Sequence, residues 1–202
     1  MSRARFAEAT GVSRETLERL DALAALLTRW NRKINLVAPG TLPDLWTRHF
    51  LDSAQLLPLA PGTRHWADLG SGAGFPGLVI AAMAPETRVT LIESDTRKAA
   101  FLTTASAELD LATTVVPRRI EAADPAGADT VTARALAPLD RLLPLALRHA
   151  APGATLLFPK GRSVGEELTA AEAAWHIEVT RHPSVTDDAG CILAITGARH
   201  RA

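Results

Sequence analysis

The run Asp68-Leu69-Gly70-Ser71-Gly72-Ala73-Gly74-Phe75-Pro76-Gly77 restricts the possible folds more than any other part of this chain. Glycines at alternate positions let the backbone turn sharply and approach a ligand with no Cβ in the way. A strand over 66–69 enters the run and a helix over 76–84 leaves it, its free backbone N–H groups facing the turn. Short apolar segments then alternate with helical ones. Strands are predicted over 88–93, 113–117, 130–133 and 154–158, and helices over 97–109, 139–150 and 164–174, with Pro144 breaking or kinking the second of these helices. Two last strands, 176–181 and 191–196, flank the turn residues 186–190. The pattern predicts an α/β fold of the Rossmann-like kind. Its sheet is mostly parallel and seven-stranded, covered by helices on both faces and ended by a C-terminal antiparallel hairpin.

Ahead of this region the chain reads as helical. Ser13 can cap a helix over 13–35, with Glu15 in its first turn and Leu17, Leu20, Ala24, Leu27, Trp30 and Ile34 on one face. A second helix over 43–57 would bury Leu45, Trp46, Phe50 and Leu57 and stop at Pro58. Pro61-Gly62 then separates an N-terminal helical extension or lid, residues 1–63, from the sheet domain, residues 64–202.

Composition narrows the function. Lys and Arg total 22 and so do Asp and Glu, so the chain lacks the global basic field of many nucleic-acid binders, and RNA contact would need a local patch. Cys191 is alone, which excludes an internal disulfide and a cysteine-built zinc site. The six histidines show no metal-ligand spacing, and no metal is expected. The longest apolar stretch, 78–84, is far short of the ~20 residues that span a bilayer. The first residues show no apolar signal core, so a soluble cytoplasmic protein, monomeric and without a membrane partner, is expected.

Two cofactors compete for the glycine turn. Gly72, Gly74 and Gly77 spell the dinucleotide fingerprint, and Glu93, 21 residues past Gly72, suits a ribose. Three features favour S-adenosylmethionine over NAD. Asp68, two residues before Gly70, suits a cationic amino-acid ligand better than a pyrophosphate. Ile120-Glu121 follows the third strand, where an adenine ring can be contacted. The roughly 60 residues outside the sheet are few for a dehydrogenase's second domain.

Four segments in order carry a closer resemblance: Trp30-Asn31-Arg32-Lys33-Ile34-Asn35-Leu36, Arg48-His49-Phe50-Leu51-Asp52-Ser53, the turn from Asp68 to Gly77, and Ala133-Arg134-Ala135. Together they closely resemble the bacterial small-subunit ribosomal RNA methyltransferase G family, also called glucose-inhibited division protein B. The resemblance implies methylation of N7 of one guanine in 16S ribosomal RNA, with S-adenosyl-L-methionine as cofactor. By that resemblance Gly70, Phe75, Ile120, Glu121 and Arg134 fall at cofactor-contact positions and Glu93 at the ribose-binding acid. Glu93 stands where aspartate is common, and Ala133 where serine is common.

Arg48, His49 and Asp52 can share one helix face, either as a surface ion pair worth at most ~1 kcal/mol or as an RNA-facing roof over the cleft. Lys160, after the strand 154–158, is either a solvated loop lysine or a phosphate contact. Arg118-Arg119 reads as a solvated pair, and Cys191 as a small core residue. An RNA patch is assigned to Arg29, Arg32, Lys33, Arg48 and His49, with Lys160 across the cleft. Guanine N7 bears a lone pair and no proton, so no side chain is required as acid or base. The fourth strand is followed by Arg134 rather than by the proline motif of amino-nitrogen methyltransferases. That arginine is assigned to the cofactor carboxylate, because a bidentate hold on O6 and N7 would occupy the reacting lone pair. The alternatives are a small-molecule methyltransferase, which would need an apolar lid, and a non-catalytic ribosome-binding relic of the fold.

Overall fold

The computed structural model describes residues 2–201; Met1 and Ala202, the outer ends of the two expected segments, lie outside that range. Seven strands form one sheet: β1 His65–Leu69, β2 Arg88–Ile92, β3 Thr113–Val116, β4 Ala128–Ala133, β5 Ala150–Lys160, β6 Trp175–Pro183 and β7 Cys191–His200. Their order is β3-β2-β1-β4-β5-β7-β6. The first five strands pair in parallel, and β7 lies antiparallel between β5 and β6. This is the mostly parallel sheet with a terminal hairpin that the sequence predicts. Every residue of β1 is buried, as a central strand covered on both faces requires.

The helices divide between the faces. On one lie α4 (Gly77–Met83) and α5 (Thr96–Glu108), with α2 (Arg14–Asn31) packed over both. On the other lie α6 (Leu139–His149) and α7 (Val164–Glu172). The N-terminal residues share their core with the sheet domain: Phe6, Leu20, Leu27, Phe50 and Leu56 belong to one buried cluster with Trp66, Leu78, Ile80 and Phe101. Phe6 comes from a helix that the sequence did not suggest, α1 (Arg3–Thr10). Its ring packs 5.2 Å from that of Trp46 and 6.5 Å from that of Phe50.

Three helix expectations are corrected. The helix from Ser13 stops at Asn31, because the Asn31 amide takes over the backbone beyond it. Its Oδ1 accepts from the N–H groups of Leu36 and Val37, and its Nδ2 donates to the Val37 carbonyl. The helix expected over 43–57 is a series of short pieces: a 3-10 turn Pro39–Asp44, a π-turn Trp46–Leu51, α3 (Asp52–Ala54) and a 3-10 turn Leu57–Leu59. Pro39, Pro43 and Pro58 have no N–H to donate, so an α ladder cannot run through them. The wider π-turn buries the consecutive residues His49, Phe50 and Leu51. The helix through Pro144 is unbroken. Pro144 and Asp140, whose carbonyl that proline leaves without a donor, are both exposed to water.

Candidate active site

In an open α/β sheet ligands bind where the strand order reverses, outside the carboxyl ends of the strands. Here that point lies between β1 and β4. A cleft of about 620 Å³ opens there, lined by Gly70 and Gly72 after β1, Glu93 after β2, Ile120 and Glu121 after β3, and Arg134 after β4. Four successive strands thus deliver to one cavity the positions that the sequence singled out. Glu93 also braces the turn: its Oε2 accepts from Gly72 N at 2.8 Å and its Oε1 from Asp95 N at 2.7 Å.

The alternate glycines serve different ends. A Cβ on Gly72 would project into open space, with only the Gly70 carbonyl oxygen nearby at 3.8 Å. That is a cradle a side chain would fill, as a cofactor site requires. Gly74, at φ +85°, leaves no such room: a Cβ there would lie 2.3 Å from Leu78 Cδ1. It is a packing glycine, which corrects its assignment to the cofactor.

Asp68 is also corrected. Its carboxylate is fully enclosed and meets the chain itself, accepting from Gly77 N at 3.2 Å and from Thr132 Oγ1 at 2.9 Å. It ties the glycine turn to β4 and does not reach the cleft. Burial, only partly offset by those hydrogen bonds, raises its pKa from 3.8 to about 6. Phe75 likewise turns inward. Only 3% of it is exposed, and its ring stacks on the His49 imidazole at 4.8 Å under the Arg134 guanidinium at 5.3 Å.

Arg134 ties the N-terminal segment to the sheet. Its Nη1 donates to Asp52 Oδ2 at 3.1 Å and to the Arg48 carbonyl at 3.2 Å, and its Nη2 lies 3.0 Å from His49 Nδ1. Asp52 is therefore not the ion-pair partner of Arg48. Its other oxygen accepts from Thr186 Oγ1 at 2.7 Å and from Gln55 Nε2 at 3.0 Å, which fastens the β6–β7 turn to the same corner. His49 is buried, with Nε2 3.1 Å from Thr41 Oγ1. Burial first, then Arg134 and Arg48, lower its pKa from 6.5 to about 4. It is a neutral acceptor for Arg134 inside the fold, not an RNA-facing cation; of the three, only Arg48 is exposed.

A second cleft of about 560 Å³ adjoins the first and shares the segment Arg134–Ala137 with it. Its other walls include Asp52, Pro159, Ser184 and Asp187. Lys160 lies at its base but is neither solvated nor free. Its Nζ donates to Glu167 Oε2 at 2.7 Å and to the Ala137 carbonyl at 3.1 Å, and only 9% of the side chain is exposed. Cys191 is half-buried in the same wall, with its thiol pKa raised by burial. Of the expected RNA patch, Arg29 pairs with Glu108 at 3.3 Å, and Lys160 and His49 turn inward.

A Rossmann-like sheet with this strand order, a glycine turn after β1, an acid just after β2 and a cleft across both defines a class I S-adenosylmethionine-dependent methyltransferase. Residues 16–191 match the family described as rRNA small subunit methyltransferase G, and the chain belongs to that family. Two relatives named ribosomal RNA small subunit methyltransferase G show the extent of the match. The protein from Paramagnetospirillum magneticum is 56% identical over 186 residues, 91% of this chain and 90% of its own. That from Rhodospirillum centenum is 55% identical over 193 residues, 95% and 88%. Among solved structures, an S-adenosylmethionine-dependent methyltransferase from Aquifex aeolicus superposes with a TM-score of 0.61 at 17% identity, covering 86% of this chain and 98% of its own. A putative O-methyltransferase from Klebsiella pneumoniae gives 0.58 at 16% identity, covering 89% and 90%. These two likenesses concern the fold alone.

Proposed function

We propose that this chain transfers the methyl group of S-adenosyl-L-methionine to N7 of a guanine in 16S ribosomal RNA. One observation carries the reading most: in a chain of this family, the cleft edged by Gly72 and Glu93 meets the second cleft across the Arg134–Ala137 segment, so occupants of the two can touch there. In this reading Gly70 and Gly72 seat the cofactor, Glu93 accepts from its ribose hydroxyls, and Ile120 and Glu121 border its adenine. Arg134, held in place by Asp52 and His49, presents its remaining N–H groups to the amino-acid end. The cofactor supplies an electrophilic methyl on a positively charged sulfur.

The arrangement suits a nucleophile with no proton to lose. At the junction of the clefts Asp52 is committed to Arg134, Gln55 and Thr186, and Asp68 is enclosed behind the turn. Neither is placed to accept a proton from a substrate. Guanine N7 needs none, since its lone pair forms the new bond as the carbon–sulfur pair returns to sulfur. What the chain must supply is alignment and exclusion of water. The segment before the sheet shares the sheet's core and borders the second cleft through Asp52, and that cleft receives the base. No helix among the described residues is long and apolar enough to cross a membrane. The test is transfer of labelled methyl to small-subunit RNA that lacks the modification, followed by nucleoside analysis. The label should run as 7-methylguanosine from one site. Label on ribose, on an exocyclic amine or at many sites would overturn the reading.

A further inference from the structure

The first cleft is more positive than its cofactor can use. Lys98, Arg118, Arg119, Arg134 and Arg141 line it, against Glu93 and Glu121. Arg134 is held by Asp52, and Arg119 lies 3.8 Å from Glu121. Lys98, Arg118 and Arg141 form no ion pair among the described residues. Two of them sit at helix N-termini that face the cleft. Lys98 is in the first turn of α5, where the N-cap Asp95 accepts from its backbone N–H, and Arg141 is in the first turn of α6 beside Asp140, so each helix end carries an acid of its own and leaves the cation's side chain to the cleft. S-adenosylmethionine carries an ammonium and a sulfonium against one carboxylate, and is itself a net cation. Extra positive charge beside it opposes its binding. Cations gathered around one cleft from three separate segments suit a polyanion.

We propose that Lys98, Arg118 and Arg141 bind phosphates of the substrate RNA, so that the strand crosses the adenine side of the cofactor cleft and closes it. This rests on the reading of the chain as an RNA methyltransferase, and it adds an RNA contact at the cofactor cleft, with Lys160, His49 and Arg29 of the expected patch already engaged within the fold. It also couples the two ligands. RNA phosphates neutralise the rim, so bound RNA tightens the cofactor, and by linkage bound cofactor tightens RNA to the same degree.

The experiment compares wild type with Arg118→Gln, Arg141→Gln and the double variant. RNA affinity for unmethylated small-subunit RNA is measured across salt, and cofactor affinity is measured by calorimetry without RNA. Arg118 and Arg141 are exposed, so the fold should survive, and thermal unfolding checks that it does. Each phosphate left without its arginine should lower the slope of log affinity against log salt by about 0.7–0.9, and the double variant should show about twice that drop. Cofactor affinity alone should hold or improve. Unchanged slopes in the variants beside salt-dependent binding by wild type would overturn this proposal only. Weakened cofactor binding would overturn it too, by assigning these cations to the cofactor carboxylate. If wild type binds no RNA, the functional reading falls, and this proposal with it.

Discussion

Gly72 and Gly74 lie two residues apart and have opposite demands on their surroundings. A Gly74→Ala methyl would overlap Leu78 in the core and hold an L-residue at φ +85°, so it should cost about 2–4 kcal/mol of stability. The Gly72→Ala methyl meets open space at φ +56°, so it should cost only about 1–2 kcal/mol but weaken cofactor binding at least tenfold. Urea unfolding and calorimetry on both variants separate the two roles. His49 and Asp68 form a second contrasting pair. His49 has its pKa held near 4, so the unfolded chain takes up that proton first, and the stability that His49 contributes is lost as pH falls from about 6.5 to 4. Asp68 titrates near 6, so the folded chain takes up that proton first, and its contribution grows as pH falls from about 6 to 4. The two nearly cancel in the same window. His49→Gln should therefore leave the Asp68 effect exposed, with stability rising by about 2–3 kcal/mol from pH 6 to pH 4. A pH series of urea melts that tilts no more than wild type would refute this.

At the scale of elements, Lys160 joins β5 to α7 and to the Ala137 carbonyl. Lys160→Met removes the cation beside Glu167, which is 19% exposed and keeps its hydrogen bonds from Leu139 N and Ser163 Oγ, and should cost about 1–2 kcal/mol. It should leave the salt dependence of RNA binding unchanged, and a flattened slope would restore the phosphate role that its position in sequence suggested. The sheet was legible because the central strands are short apolar runs between turn residues, β6 alternates along its length, and β1 with its glycine turn is a local signal. The helical segment between α2 and β1 was not. Its pattern of apolar residues is helical, but Pro39, Pro43 and the competing amide of Asn31 decide the backbone, and a periodicity count gives them no weight. The site was half legible for the same reason. Gly70, Gly72, Glu93 and Ile120-Glu121 follow their strands directly. The Arg134–Asp52 pair spans 82 residues and the Thr186–Asp52 contact 134, and neither leaves a trace in local spacing. Burial of His49 followed from the π-turn, which a 3.6-residue period does not anticipate.

Taken whole, the molecule is a sheet whose carboxyl edge carries two adjoining clefts, with an N-terminal wall fastened to it at one corner by Arg134. The zero net charge of the chain and the five cations that line the cofactor cleft fit a protein that meets RNA locally and leaves much of the selection to the shape of the folded RNA. The central claim concerns one atom: the guanine nitrogen that bears a lone pair and no proton. The most direct test replaces the target guanine in an otherwise native RNA substrate with 7-deazaguanine, in which a carbon stands at that position and the Watson–Crick edge is unchanged. Single-turnover methyl transfer and RNA affinity are then measured together. RNA affinity within about twofold of the native substrate, with no detectable transfer, is the result predicted. Transfer to the deaza substrate at the native rate would place the methyl on another atom and contradict the account.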